Sequence, residues 1–363
     1  MKKAYLLLAD GTLFEGVSVG AEGKCIAEIV FNTGMAAYQD VLNDPSYYGQ
    51  AVCMTYPLIG GFGVNEEDFT SSKSYVSGMI VRELCDYPSN WRCAHTLGEF
   101  LAKEGVIGLS GIDTRRLTRV IRSKGVMNGI LYTEGYEPDE QMIADMKNYT
   151  ITDAVKAVTV SEPIVCAAEG ACKHRVALID CGAKKDILDV LTARGCEVTR
   201  LPASVRAEEV TGFDGIVVSG GPGNPAENTA LIAEVKKMMA SGVPMFGIAL
   251  GHQIMALASG AKVEKLPFGH HGVNQPVKEL STGRTRISAL NHNYAVVGDS
   301  MPADIAQMSH VHINDQSCEG MEYSGAPLFS VQYYPENEPG PQDTQDPYGH
   351  FIALMDEKKG GAQ

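Results

Sequence analysis

The sequence lacks a C-x-x-C pair and any cysteine or histidine spacing typical of zinc ligands. Its nine cysteines are scattered along 363 residues. The odd number excludes a complete disulfide framework and suits reduced thiols. We therefore expect no metal site and a cytoplasmic protein.

Basic residues are scarce. The chain has 30 lysines and arginines and 44 aspartates and glutamates, which gives a formal net charge of -14. This charge argues against a nucleic-acid partner. Long apolar runs are also missing: the opening MKKAYLLLADG reaches Asp10 and Gly11 before a signal-peptide core or a membrane span could form. It predicts a first β-strand, and we expect no membrane partner.

The length is sufficient for two domains, each with its own core. Residues 1–150 are β-rich at first and then helical over 113–125, which indicates an α+β domain. Residues 151–173 are rich in small residues and weakly periodic, which predicts a linker with some extended structure. Residues 174–363 alternate apolar strands with helical stretches, the pattern of an α/β domain with a mainly parallel sheet.

The sequence of the second domain predicts strands and helices in alternation. They are a strand over 175–180, a helix over 184–195, a strand entering the turn 219–225, a helix over 230–242 with Gly242 as its C-cap, a strand over 244–251 and a helix over 252–260. Ligand sites in such sheets lie beyond the carboxyl ends of the strands. Residues 181, 220–224 and 249 are therefore expected to share one edge of the sheet.

The stretch FGIALGHQ has the outline of a catalytic turn without its catalytic residue. Gly247-Ile248-Ala249-Leu250-Gly251 fits the pattern G-x-nucleophile-x-G, a strained strand-to-helix elbow that presents a Ser or Cys, but Ala249 offers only a methyl group. The turn SGGPGNP (219–225) has two interpretations, an ordinary Gly/Pro loop or a loop whose backbone N–H groups stabilise an oxyanion. Its place after a strand favours the second, with the Leu250 N–H as the other donor. With no chemistry to require it, a relaxed elbow at Ala249 is one expectation.

The stretch QYYPENEPGPQ (332–342) stands where a nucleophile-base-acid relay would place His-x-Glu. Glu336 fits the acid. Tyr334 holds the base position, and its phenol, with an ordinary pKa of ~10, is protonated at neutral pH and cannot act as the base. Two of the three relay members are therefore missing.

Several long stretches resemble the carbamoyl phosphate synthetase small-subunit family. FNTGMAAYQDVLNDPSY (31–47), TYPLIGGFGVN (55–65) and IDTRRLTRVIRSKGVMNG (112–129) are similar to its N-terminal domain. FGHHGVNQPVK (268–278) and EPGPQD (338–343) are similar to its C-terminal domain. The resemblance implies an N-terminal α+β small-subunit domain followed by a flavodoxin-like class I glutamine amidotransferase domain.

The resemblance also implies a function. In this family the small subunit hydrolyses glutamine through a Cys-His-Glu relay, and ammonia passes through a tunnel to the large subunit of the heterodimer. The large subunit makes carbamoyl phosphate from bicarbonate, ammonia and ATP, for pyrimidine or arginine biosynthesis. No cofactor is expected in this chain, since ATP and Mg²⁺ belong to the large subunit.

Carried over by position, the nucleophile is replaced by Ala249 and the base by Tyr334, while the acid Glu336 is kept. The glutamine-contacting positions that match the family are Ser46, Gly221, Gly223, Leu250, Gln253 and Asn291. Asn293 and Tyr294 follow where the family has Gly-Phe, and Tyr333 replaces a glycine. Changes at four positions of one pocket indicate natural loss of the glutaminase reaction rather than a laboratory change.

We therefore expect a catalytically silent subunit that supports a large subunit fed by free ammonia. One alternative is an active glutaminase with a relocated nucleophile such as Cys181, served by His292 or His270 as base. Another is a sensor that binds glutamine without hydrolysing it. His270, His271 and His292 match family positions outside the relay and are expected to be structural.

Overall fold

The computed structural model describes residues 2–71, 73–336 and 346–360. The chain divides into two compact units. The first comprises Met1–Ile151 and Pro267–Gly272, and the second comprises Thr152–Leu266 and Val273–Gln363. Residues 152–173, expected to form a linker, thus group with the second unit.

The first unit contains a closed barrel with strand order β1-β2-β8-β6-β4-β3-β9. Its strands are β1 Lys3–Leu8, β2 Leu13–Gly20, β3 Lys24–Asn32, β4 Gln50–Met54, β6 Gly78–Ile80, β8 Ile107–Ser110 and β9 Met127–Thr133. A separate two-stranded parallel sheet pairs β5 Leu58–Ile59 with β7 Glu83–Leu84. The helices are α1 Tyr38–Asn43, α2 Leu97–Lys103, α3 Thr114–Lys124 and α4 Glu140–Asn148.

Strands β3, β4, β6 and β8 of the barrel run parallel to one another. Their carboxyl ends therefore lie at one rim, from which α3 follows β8. The Asp113 side chain accepts a hydrogen bond from the Arg116 N–H at the start of α3, and Gly125, at φ +89°, ends the helix. The helix predicted over 113–125 is confirmed to within one residue at each end.

The second unit is built on a ten-stranded sheet with the order β10-β12-β11-β13-β14-β19-β18-β16-β15-β17. Its strands are β10 Ile164–Cys166, β11 His174–Asp180, β12 Cys196–Pro202, β13 Gly215–Val218, β14 Met245–Ile248, β15 Val263–Glu279, β16 Thr285–Val296, β17 Ala306–His312, β18 Cys318–Tyr323 and β19 Leu328–Val331. The helices are α5 Ala154–Val158, α6 Lys185–Ala193, α7 Thr229–Met239, α8 Leu250–Ala258 and α9 Pro347–Gly360.

The central strands β12, β11, β13, β14 and β19 are parallel, which confirms the predicted α/β fold. The remaining strands, β10 and β15 to β18, pair antiparallel, so the sheet as a whole is mixed where a mainly parallel one was predicted. Their side chains alternate between two cores: Ala177 and Ile179 belong to one, and Val176 and Leu178 to the other. Both faces of these strands are buried because helices cover both sides of a parallel sheet.

Two details differ from the sequence predictions. The segment expected to be a linker has the predicted extended structure in the edge strand β10, which pairs antiparallel with β12, but it also contains the helix α5. The assignment of Gly242 as a C-cap is wrong: α7 ends at Met239 and is capped by Ala240. The Ser241 N–H bonds back to the Met238 carbonyl, so the chain turns before it reaches Gly242.

A helix must be about 20 residues long and mostly apolar to cross a bilayer. No helix within residues 2–71, 73–336 and 346–360 has the length and apolar character to do so.

Candidate active site at the strand-to-helix elbow

The elbow is present and strained. Ala249 lies between β14 and α8 at φ 50° and ψ -107°, a conformation that L-residues rarely adopt. Its N–H donates to the Val331 carbonyl at 2.8 Å. A Cβ on Gly247 would lie 2.6 Å from Met255 Sδ, and one on Gly251 would lie 2.1 Å from the Val218 oxygen. This close packing holds the turn in place, so the expectation of a relaxed elbow is wrong.

The glycine-rich turn lies against the elbow. A Cβ built on Gly221 would be 2.0 Å from the Cys181 oxygen and 3.0 Å from Leu250 Cδ2, and one on Gly220 would be 3.5 Å from Ala249 Cβ. Only glycine allows so close an approach. These contacts confirm the expectation that residues 181, 220, 221 and 249 share one edge of the sheet.

A phenol ring, that of Tyr334, occupies the position that the sequence predicts for the base. The Tyr334 backbone N–H donates to the Ala289 carbonyl at 3.0 Å, and its side chain is buried at 7 % exposure. A Cβ built on Gly220 would lie 3.4 Å from Tyr334 Cε1. The Tyr334 ring and the Ala249 methyl group therefore flank the same glycine.

Lys184, which the sequence analysis did not single out, lies over this ring. Its Nζ is 4.4 Å from the Tyr334 ring centroid and 3.6 Å from Asp186 Oδ2, and the residue is 6 % exposed. Such a desolvated cation–π contact contributes about 2 kcal/mol. Lys184 follows the carboxyl end of β11 by four residues. The strand-end rule that selected Cys181 could therefore also have selected Lys184.

Carboxylates surround the neighbouring Tyr348. Burial raises the pKa of Tyr348 well above its ordinary value, and the charges of Glu336 and Asp186 raise it further. The acid position, Glu336, is itself buried. The buried cation Lys184 thus lies close to the carboxylate of Asp186, and Arg194 and Asp346 also act on Tyr348.

The side-chain amide of Gln253 donates hydrogen bonds to two residues of the second unit. Its Nε2 donates to the Tyr294 carbonyl and to Gln332 Oε1, both at 2.7 Å. His292 Nδ1 lies 2.7 Å from the same carbonyl, and because a carbonyl only accepts, that nitrogen carries the proton. These contacts support a structural role for His292. Asn293 is buried on the same strand, β16.

Two other predicted glutamine contacts lie in different units. Ser46 is in a short 3₁₀ helix, Pro45–Tyr47, of the first unit, and its N–H donates to Asp44 Oδ1 at 2.8 Å. Gly223 is in the second unit at φ +85°, and a Cβ on it would lie 2.7 Å from Ala154 Cβ.

Asn291 is a buried residue of β16. His270 and His271 group with the first unit, where the His271 carbonyl accepts a hydrogen bond from the Thr33 N–H.

Cys181 is fully buried. Its N–H donates to Ser219 Oγ at 2.9 Å. Burial, together with the charge of Asp180, raises the pKa of its thiol well above the ordinary value. A thiol of this kind is protonated at neutral pH, whereas the thiolate is the nucleophile.

His252, in the first turn of α8, is another residue that the sequence analysis missed. It is fully buried, with Nδ1 2.8 Å from Ser330 Oγ. Burial lowers its pKa to about 3. It is therefore a neutral hydrogen-bonding residue that connects α8 to β19.

Comparison of the sequence with known proteins identifies the family of this chain. Residues 6–131 match the carbamoyl-phosphate synthase small chain, CPSase domain, and residues 177–354 match glutamine amidotransferase class-I. The chain is 45 % identical to the carbamoyl phosphate synthase small chain of Symbiobacterium thermophilum over 96 % of this chain and 98 % of that protein. The chain belongs to the carbamoyl phosphate synthase small-chain family.

Other small chains give the same result. The one from Listeria monocytogenes serotype 4b is 42 % identical over 99 % of both chains. The pyrimidine-specific small chain of Halalkalibacterium halodurans is 44 % identical over 98 % of both chains. The family predicted from the sequence motifs is confirmed. One of those motifs, EPGPQD at 338–343, lies outside the described residues.

Proposed function

We propose that this chain is a small subunit that has lost glutamine hydrolysis and supports a carbamoyl phosphate synthase large subunit that uses free ammonia. Bicarbonate and ATP, with Mg²⁺, are bound by the large subunit in this proposal, and this chain holds no cofactor. The two subunits form a heterodimer.

The observation that carries the proposal is the methyl group of Ala249 at the tip of an intact elbow. The backbone retains the strained conformation that would present a nucleophile. Hydrolysis by the relay requires a covalent bond between that nucleophile and the amide carbon of glutamine. An alanine side chain has no lone pair with which to form it.

The magnitude of the loss favours a silent site over a slow one. In a serine protease, removing the nucleophile or the base lowers kcat by about 10⁶, equivalent to about 8 kcal/mol of barrier. An oxyanion site alone retains only about 10³ to 10⁴ over the reaction in water. Because both Ala249 and Tyr334 lack the required chemistry, we expect no measurable turnover of glutamine.

The surroundings of Cys181 argue against a relocated nucleophile. The residue has no exposed surface, and burial keeps its thiol protonated. Its carbonyl faces Gly221 at a distance that leaves no room for even one added carbon atom. Glutamine has no approach to this sulfur without displacement of the turn.

The position of Tyr334 argues against a glutamine sensor. Its ring is packed beside Gly220 and under the Lys184 ammonium, next to the elbow where the glutamine amide would lie. Gln253 already binds Tyr294 and Gln332. A bound glutamine would have to displace these contacts.

The test is reconstitution of the full chain with the large subunit of the same organism. Carbamoyl phosphate formation is measured with glutamine or ammonium chloride as the only nitrogen source. We expect product with ammonium alone, and we expect the rate to rise when this chain is added to the large subunit.

Product formed from glutamine would overturn the proposed loss, and Cys181→Ser would then show whether that thiol is responsible. An ammonium-dependent rate that does not change on addition of this chain would overturn the supporting role. Calorimetric titration with glutamine separates a silent subunit, which gives no heat of binding, from a sensor.

A further inference from the structure

The segments at one rim of the barrel in the first unit carry exposed aromatic residues and arginines. We name this set the aromatic–arginine face, and it comprises Tyr56, Leu58, Tyr87, Trp91, Arg115 and Arg119. Trp91 is the chain's single tryptophan. Trp91 and Tyr87 are each 91 % exposed. Leu58 and Tyr56 are 42 % and 41 % exposed.

Backbone hydrogen bonds make the aromatic part continuous. The Glu83 N–H donates to the Pro57 carbonyl at 3.1 Å, and the Ser89 N–H donates to the Gly61 carbonyl at 2.9 Å. The segment carrying Tyr56 and Leu58 is therefore held beside the segment carrying Tyr87 and Trp91.

The arginines belong to the same rim of the barrel. The Gly111 N–H donates to the Arg82 carbonyl at 3.0 Å, which ties the loop before α3 to the strand that leads into β7. Strands β4, β6 and β8 are adjacent and parallel, so the segments that follow their carboxyl ends emerge side by side. Tyr56 follows β4, Tyr87 follows β6 and β7, and α3 follows β8.

Helix stability does not explain why α3 carries Arg115 and Arg119. Arg115 stands in the first turn, where the helix dipole disfavours a cation by about 0.3–1 kcal/mol. Arg119 lies four residues further along, and like charges at this spacing destabilise a helix by about 0.2–0.5 kcal/mol. Within the described part of the chain, neither forms an ion pair, and both are exposed along a shallow groove of about 410 Å³.

Charge and residue type indicate what covers this face. The groove along α3 is lined by three arginines, Arg115, Arg116 and Arg119, and one carboxylate, Asp113, so its local excess of positive charge is complementary to carboxylates on another molecule. Trp, Tyr and Arg are the residues most enriched among those that dominate binding energy in protein interfaces. An acidic protein surface with apolar pockets fits both components.

We propose that the aromatic–arginine face is the surface on which the large subunit docks. The partner's identity rests on the proposed function, while the location and chemistry of the face come from the first unit. Trp91 and Tyr87 enter apolar pockets of the large subunit, and carboxylates around those pockets bind Arg115 and Arg119.

The first test measures the dissociation constant of the full chain for the large subunit. Tyr87→Ala/Trp91→Ala is expected to weaken binding at least ~30-fold, the effect of losing one strong interface residue. Ile164→Ala/Val165→Ala, which truncates an exposed apolar pair of the second unit, is the matched control and should bind as the wild type does.

The second test reverses the charge with Arg115→Glu/Arg119→Glu. An acidic residue at position 115, in the first turn, stabilises the helix, and position 119 is exposed, so misfolding would not explain a loss of binding. We expect slower association and a weaker dependence of the association rate on salt. The control Lys236→Glu/Lys358→Glu makes the same change in charge on exposed lysines of the second unit.

Three results would overturn the inference. If the wild-type chain binds the large subunit and both face variants bind it equally well, the docking face is rejected. The proposed function would not be affected by that result. Absence of binding by the wild-type chain would reject the partner together with the face. Self-association that Trp91→Ala abolishes, seen by sedimentation, would assign the face to a second copy of this chain.

Discussion

At the scale of single residues, the elbow keeps a costly conformation that has no nucleophile to present. A non-glycine residue in such a region costs about 1–3 kcal/mol and persists only where the surroundings determine it. Around Ala249 those surroundings are its hydrogen bond to Val331 and the close packing of Gly247 and Gly251. The packing of the turn therefore holds this conformation although its tip carries only a methyl group.

The strain at Ala249 predicts that Ala249→Gly stabilises the protein, by about 1 kcal/mol. Glycine adopts positive φ without a steric penalty, and this gain outweighs the added freedom of the unfolded chain. The urea midpoint measures the effect. The matched control is Ala233→Gly, at an exposed position within α7, where the same change should cost about 1 kcal/mol. Equal destabilisation in both variants would contradict the assignment of strain.

At the scale of elements, the candidate site depends on a loop that touches the elbow. The turn after β13 passes so close to the end of β11 and the start of α8 that Gly221 has no space for a side chain. Parallel strands bring these segments to one edge, and glycine allows them to meet.

Gly221→Ala tests this contact. The added methyl group would lie 2.0 Å from the Cys181 carbonyl oxygen, so we expect a loss of about 3 kcal/mol in unfolding free energy, measured with urea. Gly212→Ala is the control, because a Cβ there meets no atom within 4 Å. A Gly221→Ala protein as stable as this control would mean that the turn moves freely.

His252 links α8 to β19 and predicts a dependence of stability on pH. Its pKa is lowered to about 3 in the folded state and is about 6.5 in an unfolded chain. Between these values the unfolded state binds a proton that the folded state does not. Stability therefore falls as pH falls through this window, by up to about 1.4 kcal/mol per pH unit.

His252→Asn removes the titration and keeps a polar atom near Ser330. The stability lost between pH 7 and pH 5 is expected to shrink by about 2 kcal/mol relative to the wild type. Urea unfolding at the two pH values measures it. Parallel pH curves for the two proteins would show that His252 does not titrate as proposed.

At the scale of the whole molecule, burial distinguishes cysteines that the sequence leaves alike. All nine are free thiols. Cys172 is exposed, Cys53, Cys181, Cys196 and Cys318 are buried, and the other four are intermediate. Burial raises the pKa of Cys53 to about 12 and that of Cys196 to about 11. Both thiols are therefore protonated and shielded from reagents in the folded protein.

We expect a thiol reagent such as DTNB to modify Cys172 first in the native chain and all nine cysteines in denaturant. Cys172→Ser should remove the fast phase of the reaction, whereas Cys181→Ser should leave it unchanged. A fast phase that disappears in Cys181→Ser would contradict the burial of that thiol. It would also support Cys181 as a relocated nucleophile.

The sequence by itself determined the local elements and the family. Apolar periodicity predicted the helix over 113–125, because it reports which face of a segment is buried. The glycines around Ala249 predicted the elbow, since the pattern reflects a backbone conformation encoded over five residues. The rule for parallel strands then predicted that the elbow and residues 220–221 meet.

Only the tertiary structure decided the rest. Closure of the barrel depends on pairing between β1 and β9, which are over a hundred residues apart. The grouping of residues 152–173 depends on the pairing of β10 with β12. Lys184 over Tyr334, the neutral His252 and the protonated Cys181 all result from burial by distant segments. Periodicity gives the direction of a side chain relative to its own element, whereas pKa values and contacts are set by what packs against it.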